Sequence, residues 1–163
     1  MWFKTLNQFN ENTCMHTETG PLVLVLDTNV CLDLFVFHDA RWALLMTGLQ
    51  NGTLRAITST ACRDEWLAVL QYTHLPVNEQ NRAGIIEAFD ELITCSNPLS
   101  STNMKLPVCT DPDDQKFMEH ARDGKVACLI TKDKALLKCA KKVAQSGLFQ
   151  IMSPESFLKL MLV

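Results

Sequence analysis

The chain lacks any C-x-x-C pair, and its seven cysteines (Cys14, Cys31, Cys62, Cys95, Cys109, Cys128 and Cys139) are an odd number spread singly through apolar stretches. They read as buried reduced thiols, which excludes a disulfide framework or a paired-cysteine zinc site and fits a cytoplasmic location. An apolar leader is lacking too: Lys4 is followed by Asn, Gln, Glu and Thr, so no signal peptide is visible. No apolar run reaches the roughly 20 residues that span a bilayer, and no membrane partner is expected. Positive charge is in short supply, with 15 Lys and Arg against 18 Asp and Glu, a net charge of -3 and a pI near 5.8. That balance excludes a protein that coats nucleic acid by bulk electrostatics, so any such contact must be local.

What is present is one domain's worth of chain: 163 residues, 47% apolar, enough for a single sizeable core. Residues 1–19 read as a polar N-terminal extension with Trp2, Phe3, Leu6 and Phe9 as its large apolar anchors; Cys14 and His16 there are a weak sign of chemistry. Residues 20–163 form the domain. Its organising stretch is Leu22 to Asn29, five apolar residues ending on Asp27, Thr28 and Asn29. A Leu/Val run without alternation is a strand covered on both faces, as in the middle of a parallel sheet. Asp27 therefore marks a strand's C-terminal end, where α/β proteins bind ligands, unless it merely caps the next helix.

The pattern continues with two helices broken near His38, the second carrying Trp42, Leu45, Met46 and Leu49 on one face and ending at Asn51-Gly52. Phe35, Phe37 and Trp42 exceed what one face of a small sheet needs; core packing is the default reading and a partner groove the alternative. Leu54 to Thr58 is a second strand, and Ser59 or Thr60 caps a helix bearing Asp64, Glu65 and Trp66. Asn78 to Ile93 is predicted as a further helix, and Asn97 to Lys105 as a loop. Asp111-Pro112-Asp113-Asp114 then opens a helix with Phe117, Met118 and Ala121. Val126 to Ile130 is a second buried strand ending on Thr131-Lys132-Asp133 before a helix over Ala135 to Val143. A short strand at Gln150 to Met152 and a helix capped at Ser153 close the chain.

Asp27, Glu65, Asp114 and Asp133 can thus converge on one crevice. Four carboxylates without intervening Lys or Arg stay ionised together only beside a divalent cation, and oxygen-only ligands select a hard ion, Mg²⁺ or Mn²⁺. Nine of the fifteen Lys and Arg residues lie at or after Lys116; a solvated helix face explains them, and a phosphate backbone is the sharper alternative.

In that order, LVLDTNV, DEWLAVL, DPDDQKFMEHA, LITKDKALL and SPESFL resemble the PIN domain, in the branch of toxin-antitoxin toxins similar to VapC-type ribonucleases, over roughly Pro21 to Leu158. The resemblance implies a three-layer α/β fold with a mainly parallel central sheet flanked by helices. It implies an Mg²⁺- or Mn²⁺-dependent endoribonuclease in which a metal-activated water attacks the phosphodiester, leaving a 5′-phosphate and a 3′-hydroxyl. Asp27, Glu65, Asp114 and Asp133 match the family's catalytic and metal-binding acids; Thr28, Asn29 and Thr131 match supporting positions, with Asp111 beside them. Lys132, Lys134 and Arg63 are the candidate RNA contacts. A homodimer and a small antitoxin protein are the implied partners. Two departures stand out: Trp66 where a small aliphatic is common, expected to reshape the crevice rim, and Lys132 where glycine is frequent.

Three rival readings compete with this one. A haloacid dehalogenase-type phosphatase needs an acid two residues after Asp27, where Asn29 stands, and a receiver domain needs paired acids near the first strand, which are missing. The remaining rival is a PIN-like interaction module with weak catalysis or none.

Overall fold

The computed structural model describes residues 20–162. The polar extension expected over 1–19, including Cys14 and His16, lies outside the described residues. Five strands, β1 (Leu22–Leu26), β2 (Leu54–Thr58), β3 (Ile93–Cys95), β4 (Cys128–Ile130) and β5 (Gln150–Met152), form one sheet in the order β3-β2-β1-β4-β5, with every pair parallel. Among the described residues, seven α-helices accompany it: α1 (Thr28–Phe35), α2 (Ala43–Gln50), α3 (Thr60–Val69), α4 (Arg82–Leu92), α5 (Gln115–Asp123), α6 (Lys134–Gln145) and α7 (Pro154–Met161).

Strand alternation divides the core into two halves. Leu24, Leu26, Ala56, Cys128 and Ile130 point to one face, where Val30, Phe35, Trp66, Phe89 and Phe157 from α1, α3, α4 and α7 cover them. Val25, Ile57 and Leu129 point to the other, covered by Phe117, Met118 and Ala121 of α5 and by Leu136, Cys139 and Val143 of α6. Because both faces are buried, the central strands carry no polar alternation, and the result is the three-layer α/β architecture read from the sequence. Cys31, Cys62, Cys109, Cys128 and Cys139 are buried free thiols, while Cys95 is exposed.

Local rules set the boundaries. Ser59 accepts a hydrogen bond from the Cys62 amide to start α3, and Ser153 does the same for Ser156 at α7, which also has Pro154 at its first turn. Asp111 accepts from the Asp113 amide, but the turn it opens, Pro112–Asp114, is a 3₁₀ helix, so α5 starts only at Gln115. The predicted helix over Asn78 to Ile93 is corrected at both ends. The Asn78 side chain accepts from the Gln80 and Asn81 amides and holds a turn before Arg82, and the chain passes from Leu92 directly into β3. In β3 Ile93 pairs with Ala56 and Cys95 with Thr58, giving a three-residue edge strand.

Trp66 is also corrected. It is 1% exposed, stacked on Phe89 at 4.9 Å and edge-on to Phe35 at 6.2 Å, so it belongs to the core and not to a crevice rim. Of the three aromatics considered for a partner groove, Phe35 and Trp42 are buried and Phe37 alone is exposed.

Candidate functional site

The strand order reverses on either side of β1: the chain goes to β2 and β3 one way, then returns to place β4 and β5 on the other. The crevice between the C-terminal ends of β1 and β4 is therefore a topological switch point. Asp27 leaves β1 there, and Thr131, Lys132 and Asp133 leave β4 there. The third acid arrives on the 3₁₀ turn Pro112–Asp114, because α5 packs against β1 and β4; the fourth, Glu65, comes from α3, which packs against α5.

Asp27 is 3% exposed and precedes α1, yet its carboxylate makes no capping hydrogen bond to that helix. Its Oδ2 instead accepts from the Thr131 hydroxyl at 2.5 Å and from the Asn29 amide nitrogen at 2.8 Å. Thr131 Oγ1 also accepts from the Asp133 backbone amide at 2.9 Å, and Asn29 Oδ1 accepts from the Lys132 amide at 3.2 Å. Two side chains thus tie the turn after β4 to the end of β1. Asp133 Oδ1 accepts from the Ala135 amide at 2.6 Å and caps α6.

Burial raises the Asp27 carboxyl to about 6, against the hydrogen bond from Thr131, with Glu65 and Asp133 adding repulsion. Asp114 is raised to about 7 by burial first and then by Asp27, Asp133, Asp111 and Glu65. Its Oδ2 is buried without a hydrogen-bond partner. Glu65 differs: Oε1 accepts from the Thr28 hydroxyl at 2.6 Å, and Oε2 pairs with Lys116 Nζ at 2.5 Å. The expectation that no Lys or Arg intervenes among the acids is corrected by that pair. The sequence gives no signal for Lys116, which lies 51 positions from Glu65 with only the packing of α5 on α3 joining them.

The other sequence candidates fall as follows. Asp64 and Asp113 are exposed. Arg63 pairs with Asp90 through Nε at 2.8 Å and a terminal guanidinium nitrogen at 2.5 Å. Lys132 Nζ lies 2.6 Å from Asp33 Oδ2, which also accepts from the Trp42 indole at 2.9 Å. Lys134 is exposed. Asp33, a buried acid one helical turn beyond Asn29, is concealed in the sequence by the apolar run around it.

For a cation, the donor set is carboxylate oxygen, the raised Asp27 and Asp114 lack a neutralising charge, and Asp114 Oδ2 lacks a donor. All three features fit a hard divalent ion. As the side chains lie, no three His, Cys, Asp or Glu groups among the described residues are gathered closely enough to hold one.

A family model described as PIN domain matches residues 23–135, a span that includes all four acids. The chain belongs to the PIN domain family. Among solved structures, this PIN domain is similar to a chain in the crystal structure of VapBC2 from Rickettsia felis bound to a DNA fragment from their promoter, with a TM-score of 0.54 and 12% identity over 81% of this chain and 98% of that one. At that identity the likeness speaks to the fold alone. No curated protein matches the chain. No helix among the described residues is long and apolar enough to cross a membrane.

Proposed function

We propose that this PIN domain is an Mg²⁺- or Mn²⁺-dependent endoribonuclease, the toxin component of a type II toxin-antitoxin pair. The observation that carries the reading is Asp114: an oxygen buried without a donor, on a carboxyl pushed up to about 7 by burial and neighbouring acids. A cation would satisfy that oxygen and offset the repulsion from the neighbouring acids at once. Asp27, Asp114 and Asp133 would hold the ion, and Glu65 would join them through the oxygen now paired with Lys116. When bound, such an ion would lower the pKa of an attacking water and offset charge on the phosphate.

The chain's own residues hold the acids ready. Thr131 and Asn29 fix Asp27 Oδ2, the Ala135 amide fixes Asp133, and Thr28 fixes Glu65. Held this way, Asp27, Asp133 and Glu65 have little freedom left to lose on ligation. Because no three acids among the described residues are yet close enough to hold an ion, binding one would draw them together before a phosphodiester is cut in line. The resemblance of LVLDTNV, DPDDQKFMEHA and LITKDKALL to the toxin branch of the family, of which a PIN domain model matches residues 23–135, supports a small antitoxin as partner. The exposed Phe37 and Leu44, 50% and 55% accessible, supply apolar surface for that partner or for a homodimer.

Purified protein should cut single-stranded RNA internally with Mn²⁺, stop with EDTA, and resume when Mn²⁺ is restored. Asp27→Asn and Asp133→Asn should be folded and inactive, losing at least about 100-fold, whereas the exposed Asp64→Asn and Asp113→Asn should keep most activity. Equal loss in Asp113→Asn and Asp133→Asn would misplace the site.

One observation favours the second reading, an interaction module without cleavage: Lys116 already neutralises Glu65, and no ligand cluster is assembled among the described residues. A folded-state ligand raises thermal stability. Absence of any Mn²⁺ shift together with absence of cleavage would establish that reading.

A further inference from the structure

Of the three basic residues that the sequence offers to RNA, two are engaged: Arg63 with Asp90 and Lys132 with Asp33. Lys134 is left, and it opens α6 directly after Asp133. From there Lys138, Lys141 and Lys142 follow, all exposed, opposite the buried Leu136, Cys139 and Val143. The 134, 138, 141 spacing places three of them in one row, and the four span about 12 Å along the axis at 1.5 Å per residue. The helix contains no Asp or Glu, and among the described residues no carboxylate lies within ion-pair distance of any of the four.

Helix stability does not account for the row. Lys141 and Lys142 sit near the negative end of the helix dipole, where cations are favourable, but Lys134 occupies the first turn, where a cation is unfavourable. A single-sign row in a chain of net charge -3 is a local concentration of positive potential, and its near end adjoins the Asp133 cap.

We infer that the outer face of α6 is a track for the phosphate backbone of single-stranded RNA running out of the crevice. The inference rests on the endoribonuclease reading and deepens it by giving the substrate a direction. Single-stranded RNA is the occupant because the row is continuous with the acids that would cut it and because its charge complements phosphate and nothing apolar.

The test compares binding of a labelled single-stranded RNA across a salt series by the full chain carrying Asp27→Asn, with and without Lys138→Gln/Lys141→Gln. A control with the same charge change, Arg55→Gln/Lys159→Gln, lies off α6. The α6 pair should weaken binding on the order of tenfold and reduce the log–log salt slope by about 1.4, or about 0.7 for each phosphate no longer neutralised, while the control shifts neither by more than about a third as much. Equal losses in the two double variants would reduce the effect to bulk charge and overturn the track. RNA cleavage by the wild-type chain with unaltered binding by the α6 variant would overturn the track and leave the nuclease standing. A wild-type chain that neither binds nor cuts RNA, but binds polyglutamate through these lysines, would overturn both and assign the face to an acidic protein.

Discussion

Asp27 and Asp133 hold equivalent positions, each the residue before a helix, and use their carboxylates differently. Asp133 caps α6, whereas Asp27 turns to Thr131 and Asn29 and leaves α1 uncapped. The recurrence of an acid after a buried strand is legible at both places, because the apolar runs stop so sharply. The division of labour is not, since it depends on a hydroxyl 104 positions away. Both Asp27, at about 6, and Asp114, at about 7, stand above the ordinary value of 3.8. The folded state therefore binds more protons than the unfolded chain between about pH 4 and 7, so stability without metal falls as pH rises through that window. We expect the melting temperature to drop from about pH 5 to about pH 8, and Asp114→Asn to flatten the profile and raise the pH 8 value by a few degrees, about 3 °C. A pH-independent melting temperature in the parent would show that neither burial nor the neighbouring acids raise these carboxyls. Lys116 gives a second expectation: Lys116→Met frees Glu65 and should enlarge the Mn²⁺ thermal shift, and a smaller shift would mean that Lys116 holds Glu65 in a ligating pose.

Element by element, long periodic segments are readable and short or phase-dependent ones are not. β1, β2 and α7 declare themselves by apolar runs and capping residues. β3 has three residues, two of them exposed, and no loop before it, so its helix conceals it. Trp66 follows Glu65, and its direction depends on the rotation of α3; with Glu65 toward the crevice, the next side chain turns into the core beside Phe89. The tie between the β4–α6 turn and α1 has the same character. Lys132 replaces the flexible residue expected there, and Asp33 receives it together with the Trp42 indole. Removing one partner leaves a carboxylate that is 6% exposed with a single neutral donor. Lys132→Ala should cost about 1–2 kcal/mol, since the lysine itself is partly solvated, and lower the melting temperature by about 4 °C. Adding Asp33→Asn should recover part of that loss; additive losses in the double variant would show the pair to be uncoupled.

For the whole molecule, the proposed homodimer has a direct readout. Light scattering should give twice the 18.4 kDa chain mass, and Phe37→Asp should return it to one chain without lowering the melting temperature by more than about 2 °C, because that ring is half exposed. A monomer in the parent would leave Phe37 and Leu44 to the proposed antitoxin alone. The central place of β1 has a further consequence, in time instead of space. β1 pairs with β2 soon after both are made, but its other edge waits for β4, more than a hundred residues later. Until then Asp27 has neither Thr131 nor Asp133 beside it, and a chain emerging from the ribosome carries a half-sheet with one open edge. The crevice is consequently among the last parts to assemble. A product terminated before Ile130 contains Asp27, Glu65 and Asp114 but neither Thr131 nor Asp133, and so has no four-acid centre.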